Sequence, residues 1–327
     1  MKKTIYLHVG PHKTGTTLLQ KHFLDHSDTL AKNGVIYPRN YMAIFGHHKF
    51  RDRLEKRTLN QQDIDFFHQS KHDFFISSED FISLNKPDFE YLRDTLSAMN
   101  IVIIYSWRRA SLKMYSIWQE IIKHGGSQTF YEYYYDHLAK PGQSQMLSAD
   151  LKVKMFSDVF GKNNIQVLDY DASAKNKSLI ADMLSLVGLP ANLLPEPERS
   201  KASNVSLSSE DVELIRVLNS ICEKKYGIFG SAVRECILRN YEGLMASHGS
   251  FLKEHIKSQM TSISVGNYFI DHRADAQMTH HFLDNIFNYE KSTIVKNITI
   301  PNTMWFLNEE CYLKVNALAE EIKNKLI

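Results

Sequence analysis

The segment Gly10-Pro11-His12-Lys13-Thr14-Gly15-Thr16-Thr17 concentrates the chemistry of this sequence. Gly10 and Gly15 permit tight turns and close backbone approach to a ligand. The hydroxyls of Thr14, Thr16 and Thr17, the imidazole of His12 and the backbone amides can donate to an anion, and Lys13 adds a full positive charge. The two glycines keep the spacing of the G-x-x-x-x-G-K-[ST] nucleotide loop, but Thr16 stands where that pattern requires lysine. The ammonium is thereby moved from the helix start into the loop, where it meets a different part of a ligand.

A second cationic group, Arg108, follows the apolar run Ile101–Tyr105, and Ser116 lies eight residues beyond it. A guanidinium recognises phosphate bidentately with permanent charge. Ser116, about two helical turns further on, adds a hydroxyl if the chain bends back. Arg109 is either an alternative phosphate ligand or an ion-paired neighbour. For proton transfer two candidates stand out. Glu79 follows the apolar run Asp73–Ser78, and His47 or His48 follows Val35-Ile36-Tyr37 and Pro38. Glu79 ranks first and His48 second; the competing reading for Glu79 is a helix cap or a buried ion pair. The pairs His22/His26, His47/His48 and His280/His281 lack a matching carboxylate or cysteine set, so no metal site is expected. Tyr37, Trp107, Tyr115, Trp118 and Tyr131-Tyr133-Tyr134-Tyr135 can stack on a base or sugar, although aromatics at this density more often build cores.

These groups need elements to hold them. Thr4–Val9 reads as a strand entering the glycine loop, and Leu18, Leu19 and Phe23 begin a helical pattern after it. Further strands are expected at Val35–Tyr37, Asp73–Ser78, Ile101–Tyr105 and Ile165–Leu168. Helices are expected from Arg109 to Lys123, over Leu151–Phe160 and over Lys175–Leu189. Pro190 to Pro197 reads as a surface loop, and from Ser208 onward the pattern is mostly helical around a polar stretch at 261–267. The fold class expected is α/β, a three-layer sandwich with a central parallel sheet. Residues 1–327 form a single domain in this reading, with 200–327 a helical extension packed on the core.

Bulk properties narrow the function. Lys plus Arg number 39 against 37 Asp plus Glu, a net charge of +2 that argues against a nucleic-acid-coating protein. Three dispersed cysteines without a CxxC pair fit buried free thiols in a reducing compartment. The apolar start Ile5-Tyr6-Leu7 breaks at His8, too short for a signal peptide, and no run reaches the roughly 20 apolar residues of a transmembrane helix. A cytoplasmic location is expected.

Lys13-Thr14-Gly15-Thr16-Thr17 after an apolar strand resembles the 5′-phosphosulfate loop of sulfotransferases that use 3′-phosphoadenosine-5′-phosphosulfate (PAPS). Arg108 and Ser116 resemble that family's 3′-phosphate-binding arginine and serine, with Ala110 departing from the proline many members carry there. Ser78-Glu79, Phe160-Gly161-Lys162 and Asn204-Val205-Ser206 are similar to bacterial members, so the resemblance spans residues 4–220. It implies a P-loop-like fold and sulfuryl transfer from PAPS to a hydroxyl or amine, with a small-molecule or glycan acceptor, a carbohydrate or glycolipid foremost. It further implies 3′,5′-adenosine bisphosphate as product and no required metal. In this reading Lys13 contacts the 5′-phosphate and the oxygen bridging it to sulfur, and the base comes from the strand end at Glu79. Two rivals share the loop: a P-loop nucleotide kinase or NTPase, and a non-catalytic nucleotide-binding protein.

Overall fold

The computed structural model describes residues 2–197, 207–266, 270–292 and 294–326. Asn204-Val205-Ser206 therefore lies outside the described residues. Eight strands are described: β1 (Thr4–Val9), β2 (Val35–Ile36), β3 (Asp73–Ser77), β4 (Asn100–Trp107), β5 (Ile165–Asp169), β6 (Met260–Val265), β7 (Ile286–Phe287) and β8 (Lys296–Pro301). The chain separates into two compact units that are threaded rather than sequential. The first comprises Met1–Arg109, Ser144–Arg199 and Asp271–Thr293; the second comprises Ala110–Gln143, Ser200–Ile270 and Ile294–Ile327.

The first unit holds a six-stranded sheet in the order β2-β3-β1-β4-β5-β7, and every pairing is parallel. Parallel strands covered on both faces read as continuous apolar runs, and β4 is buried at every residue after Asn100. Period-2 alternation sends its neighbours to opposite faces. Ile5, Leu7 and Val9 join Phe74, Ile76, Ile103, Tyr105 and Val167 in one core, shared with helices such as His48–Lys56, Lys86–Thr95 and Ala149–Phe160. Phe75, Ile104 and Leu168 face the other core, with Leu19 and Phe23 of helix α1 (Thr16–Asp25) and Met183 and Leu184 of Leu179–Leu186. The result is a helix–sheet–helix sandwich of the expected class.

Three local expectations change. The stretch read as one helix over Lys175–Leu189 is two, Tyr170–Asn176 and Leu179–Leu186, because Lys177 at φ 59° turns the chain left-handed between them. Glu79 does not end a strand: β3 stops at Ser77, and Glu79–Ser83 is a 3₁₀ turn capped by Ser78. A sixth strand, β7, pairs with β5 although its two residues carry no strand signal of their own.

In the second unit, helix Ser209–Tyr226 is tied to Ala110–Lys123 by Asn219, whose Nδ2 donates to the Ile122 and Gly126 carbonyls, both at 2.8 Å. Glu213 on the same helix is buried and accepts from Arg216 Nε (2.7 Å) and Trp305 Nε1 (2.8 Å). The polar stretch at 261–265 forms part of β6, antiparallel to β8 with Ile263 opposite Ile298. Cys222, Cys236 and Cys311 are free and buried. Among the described residues no helix is long and apolar enough to cross a membrane.

Candidate active site

The sheet order turns about β1, which lies between β3 and β4. Open α/β sheets place ligands outside the carboxyl ends of the strands at such a point. There β1 leads into the glycine loop, β3 into Ser78-Glu79-Asp80, β4 into Arg108-Arg109, and β5 into Tyr170-Asp171. All of these belong to the first unit.

Within the loop, Lys13 (φ 68°) and Gly15 (φ 69°) are left-handed while Thr14 between them is not. Such alternation turns successive N–H groups toward one point, making a concavity suited to an anion. Gly15 is required twice over. Besides its φ, a Cβ there would approach Leu179 Cδ2 to 2.7 Å and Tyr170 Cε2 to 3.2 Å. At Gly10 a Cβ would come within 2.7 Å of Thr16 Cγ2. Buried Thr14 donates from Oγ1 to the Pro11 carbonyl (2.7 Å) and pins the turn. Thr16 is buried and Thr17 exposed. Helix α1 begins directly behind, with no acidic residue in its first turn and no side-chain cap, so the helix itself brings no carboxylate to its positive end.

The two arginines part company. Arg109 is 2% exposed, bidentate to Asp169 (2.9 and 3.1 Å), 3.3 Å from Asp171 and stacked on Trp107 at 4.5 Å. Burial alone would lower its pKa, but the surrounding carboxylates outweigh burial and raise it. Arg108 instead donates from Nη1 to the Lys13 carbonyl (2.6 Å), lies over the Tyr170 ring at 5.4 Å and keeps Nε 3.7 Å from Asp171. A guanidinium and an ammonium-bearing loop, 95 residues apart in sequence, are thus in direct contact. Ser116 belongs to the second unit, in Ala110–Lys123, where its hydroxyl donates to the Lys113 carbonyl (2.8 Å).

Two acid–base groups sit at the end of β3. Glu79 Oε2 accepts from Gln20 Nε2 at 2.8 Å. His48 Nδ1 lies 2.7 Å from Asp80 Oδ2 and 3.1 Å from Ser78 Oγ, and His12 Nε2 of the glycine loop lies 3.6 Å from the other Asp80 oxygen. His47 has a different role. It is fully buried, with Nε2 on the Pro38 carbonyl (2.8 Å) and Nδ1 accepting from the Ser77 N–H (3.0 Å), and burial lowers its pKa to about 4. It fastens the chain before helix His48–Lys56 to β3 and is spent as a base.

No family model and no curated protein matches the chain. Among solved structures, it is similar to a crystal structure titled as a sulfotransferase from Alicyclobacillus acidocaldarius. The two share 14% identity with a TM-score of 0.40 over 72% of this chain and 100% of that one.

Three groups at this end of the sheet carry no signal in the sequence. Asp80 is not distinguished there from its neighbour Glu79, yet it is the carboxylate that joins His48 to the loop. Gln20 carried no motif, although its place one turn after Thr16 puts it near the loop's helix start. His8 reads in the sequence only as a break in an apolar run. It is fully buried between Ser77 Oγ and Ser106 Oγ, both at 2.8 Å, and burial lowers its pKa to about 3, keeping it neutral. Of the aromatics, Tyr37, Trp107, Trp118 and Tyr133 are buried, while Tyr131 and Tyr135 are exposed.

Proposed function

We propose that this chain is a sulfotransferase that moves a sulfuryl group from PAPS to a hydroxyl or amine acceptor, with carbohydrate or glycolipid hydroxyls the acceptor class. The observation that carries the reading is Arg108 seated on the Lys13 carbonyl, which gathers two cations around one amide-lined bend. The residues fit a doubly phosphorylated adenosine. The bend and the start of α1 suit the 5′-phosphate, and Arg108, packed on Tyr170, suits the 3′-phosphate.

The bound donor supplies an activated sulfuryl group with a bisphosphate leaving group. Lys13 stabilises the charge that grows on the oxygen bridging phosphorus and sulfur as that bond breaks. The loop amides and Thr17 hold the 5′-phosphate still, so that the acceptor oxygen meets sulfur in line. Glu79 takes the acceptor's proton as the new O–S bond forms, and the electron pair of the broken bond leaves on the bisphosphate. His48, oriented by Asp80, holds the acceptor hydroxyl and stands ready as a second base.

A magnesium-dependent kinase keeps one feature in its favour, the carboxylates of Glu79 and Asp80 at the end of β3 beside β1. Thermal-shift measurements separate the two readings. Stabilisation by 3′,5′-adenosine bisphosphate in EDTA is expected; stabilisation by Mg²⁺-ATP alone would reverse the assignment. Transfer of labelled sulfate from PAPS to a glycan panel, undiminished by EDTA, tests the reaction itself.

A further inference from the structure

A line of buried polar side chains crosses the three central strands and ends on Glu79. Ser106 of β4, His8 of β1 and Ser77 of β3 lie on the sheet face that packs against α1, as strand alternation places them. Gln20 of α1 completes the line, with Nε2 3.3 Å from Ser77 Oγ and 2.8 Å from Glu79 Oε2. Ser77, Ser106 and His8 are fully buried and Gln20 is 3% exposed.

Donor and acceptor counting ties the line together. An amide nitrogen only donates, so Gln20 donates both to Glu79 and to Ser77 Oγ. The Ser77 hydroxyl, with two lone pairs and one proton, also bonds His8 Nδ1, and His8 Nε2 bonds Ser106 Oγ; in the neutral imidazole one ring nitrogen donates and the other accepts. The Gln20 amide is also clamped from its far side. A Cβ on Gly46 would come within 2.8 Å of Gln20 Oε1, so the turn carrying Gly46 closes against that amide.

We propose that Gln20, locked by Ser77, His8 and Gly46, is the positioning residue that fixes Glu79 Oε2 and so presents Oε1 to the acceptor's proton. This rests on the sulfotransferase reading for its chemistry, but not for its geometry. Other titratable groups about Glu79 are Asp80 next to it, His48 and His12 on Asp80, and Tyr37, whose pKa is raised by burial and by Glu79. None of these is altered by substituting Gln20 with an isosteric apolar side chain.

The test compares wild type with Gln20→Met and Gln20→Glu by three readouts. In Gln20→Met the ¹³C-carboxyl resonance of Glu79, assigned by its loss in Glu79→Gln, is expected to shift and broaden at fixed pH as its hydrogen bond is lost. Affinity for 3′,5′-adenosine bisphosphate is expected to stay within about twofold of wild type. With any acceptor that the wild type turns over, kcat is expected to fall about 10–100-fold with little change in KM. Gln20→Glu, which replaces the amide donor with an acceptor, is expected to displace that resonance as well. An unchanged Glu79 resonance in both folded variants would overturn the positioning role whatever the enzyme catalyses. Failure of the wild type to bind the bisphosphate would count against the sulfotransferase reading and leave the resonance result standing.

Discussion

Lys13 occupies a left-handed backbone that a residue with a Cβ adopts at a cost of roughly 1–2 kcal/mol. Thr14 and Arg108 hold it there through the Pro11 and Lys13 carbonyls. Lys13→Ala keeps the same backbone demand and loses only the ammonium, so turnover is expected to fall by about 10²–10³-fold or more with folding intact; a variant within tenfold of wild type would remove Lys13 from the chemistry. Arg108 and Arg109, adjacent in sequence, should separate cleanly on truncation. Arg108→Ala is expected to weaken bisphosphate binding by about 2–5 kcal/mol. Arg109→Ala should instead destabilise the fold by about 3–5 kcal/mol, because Asp169 is left buried without its counter-charge and Asp171 keeps only Arg108, 3.7 Å away. Urea melts and calorimetry on both variants check this division. The loop and Arg108 were legible in the sequence because each is local, a cation at the end of an apolar run. His8, Gln20 and Asp80 were not, because their roles arise from contacts between 32 and 98 residues apart in sequence, which spacing cannot show.

At the level of elements, the apolar strands were readable because β1, β3, β4 and β5 are mostly buried and so are dominated by apolar residues. The short strand β7 and the polar strand β6 escaped because pairing, not composition, makes them strands. The turn before helix His48–Lys56 carries a strain of its own. Ile44 at its tip has φ 59° and is 84% exposed, between Ala43 and Gly46, which bond to each other (2.9 and 3.3 Å). Ile44→Gly loses almost no buried surface and relieves the strain, so a gain of about 1 kcal/mol is expected in chemical denaturation; a loss would mean that Ile44 packs in solution. The segment bearing β7 offers a pH test. Burial pushes Asp275 up to about 6, despite Arg109 3.5 Å away, from an unfolded value of 3.8. Between those pH values the folded chain binds more protons than the unfolded one, so this carboxyl costs stability as pH rises and the loss is complete above about 6. Asp275→Asn should therefore stabilise by about 1–3 kcal/mol at pH 8 and by little at pH 4. Melting curves at the two pH values that showed equal effects would contradict this.

For the molecule as a whole, the near-neutral balance of 39 basic and 37 acidic residues leaves no general attraction for polyanions. Two cationic residues, Lys13 and Arg108, are instead brought together where β1 and β4 end. The sandwich class was legible from the alternation of strand and helix. The threading was not: residues 144–199 and 271–293 return to the first unit, while 110–143 leave it, a choice made by packing partners far along the chain. What matters for function is that the glycine loop, Glu79, His48 and Arg108 share one unit and one edge of one sheet. Isothermal titration with 3′,5′-adenosine bisphosphate in EDTA, on wild type, Lys13→Ala and Arg108→Ala, tests this most directly. Saturable one-to-one binding by the wild type, weakened in both variants and not matched by Mg²⁺-ATP, is the expected outcome. Absence of binding by the wild type, or equal affinity in all three proteins, would contradict the assignment of that edge as a bisphosphate site.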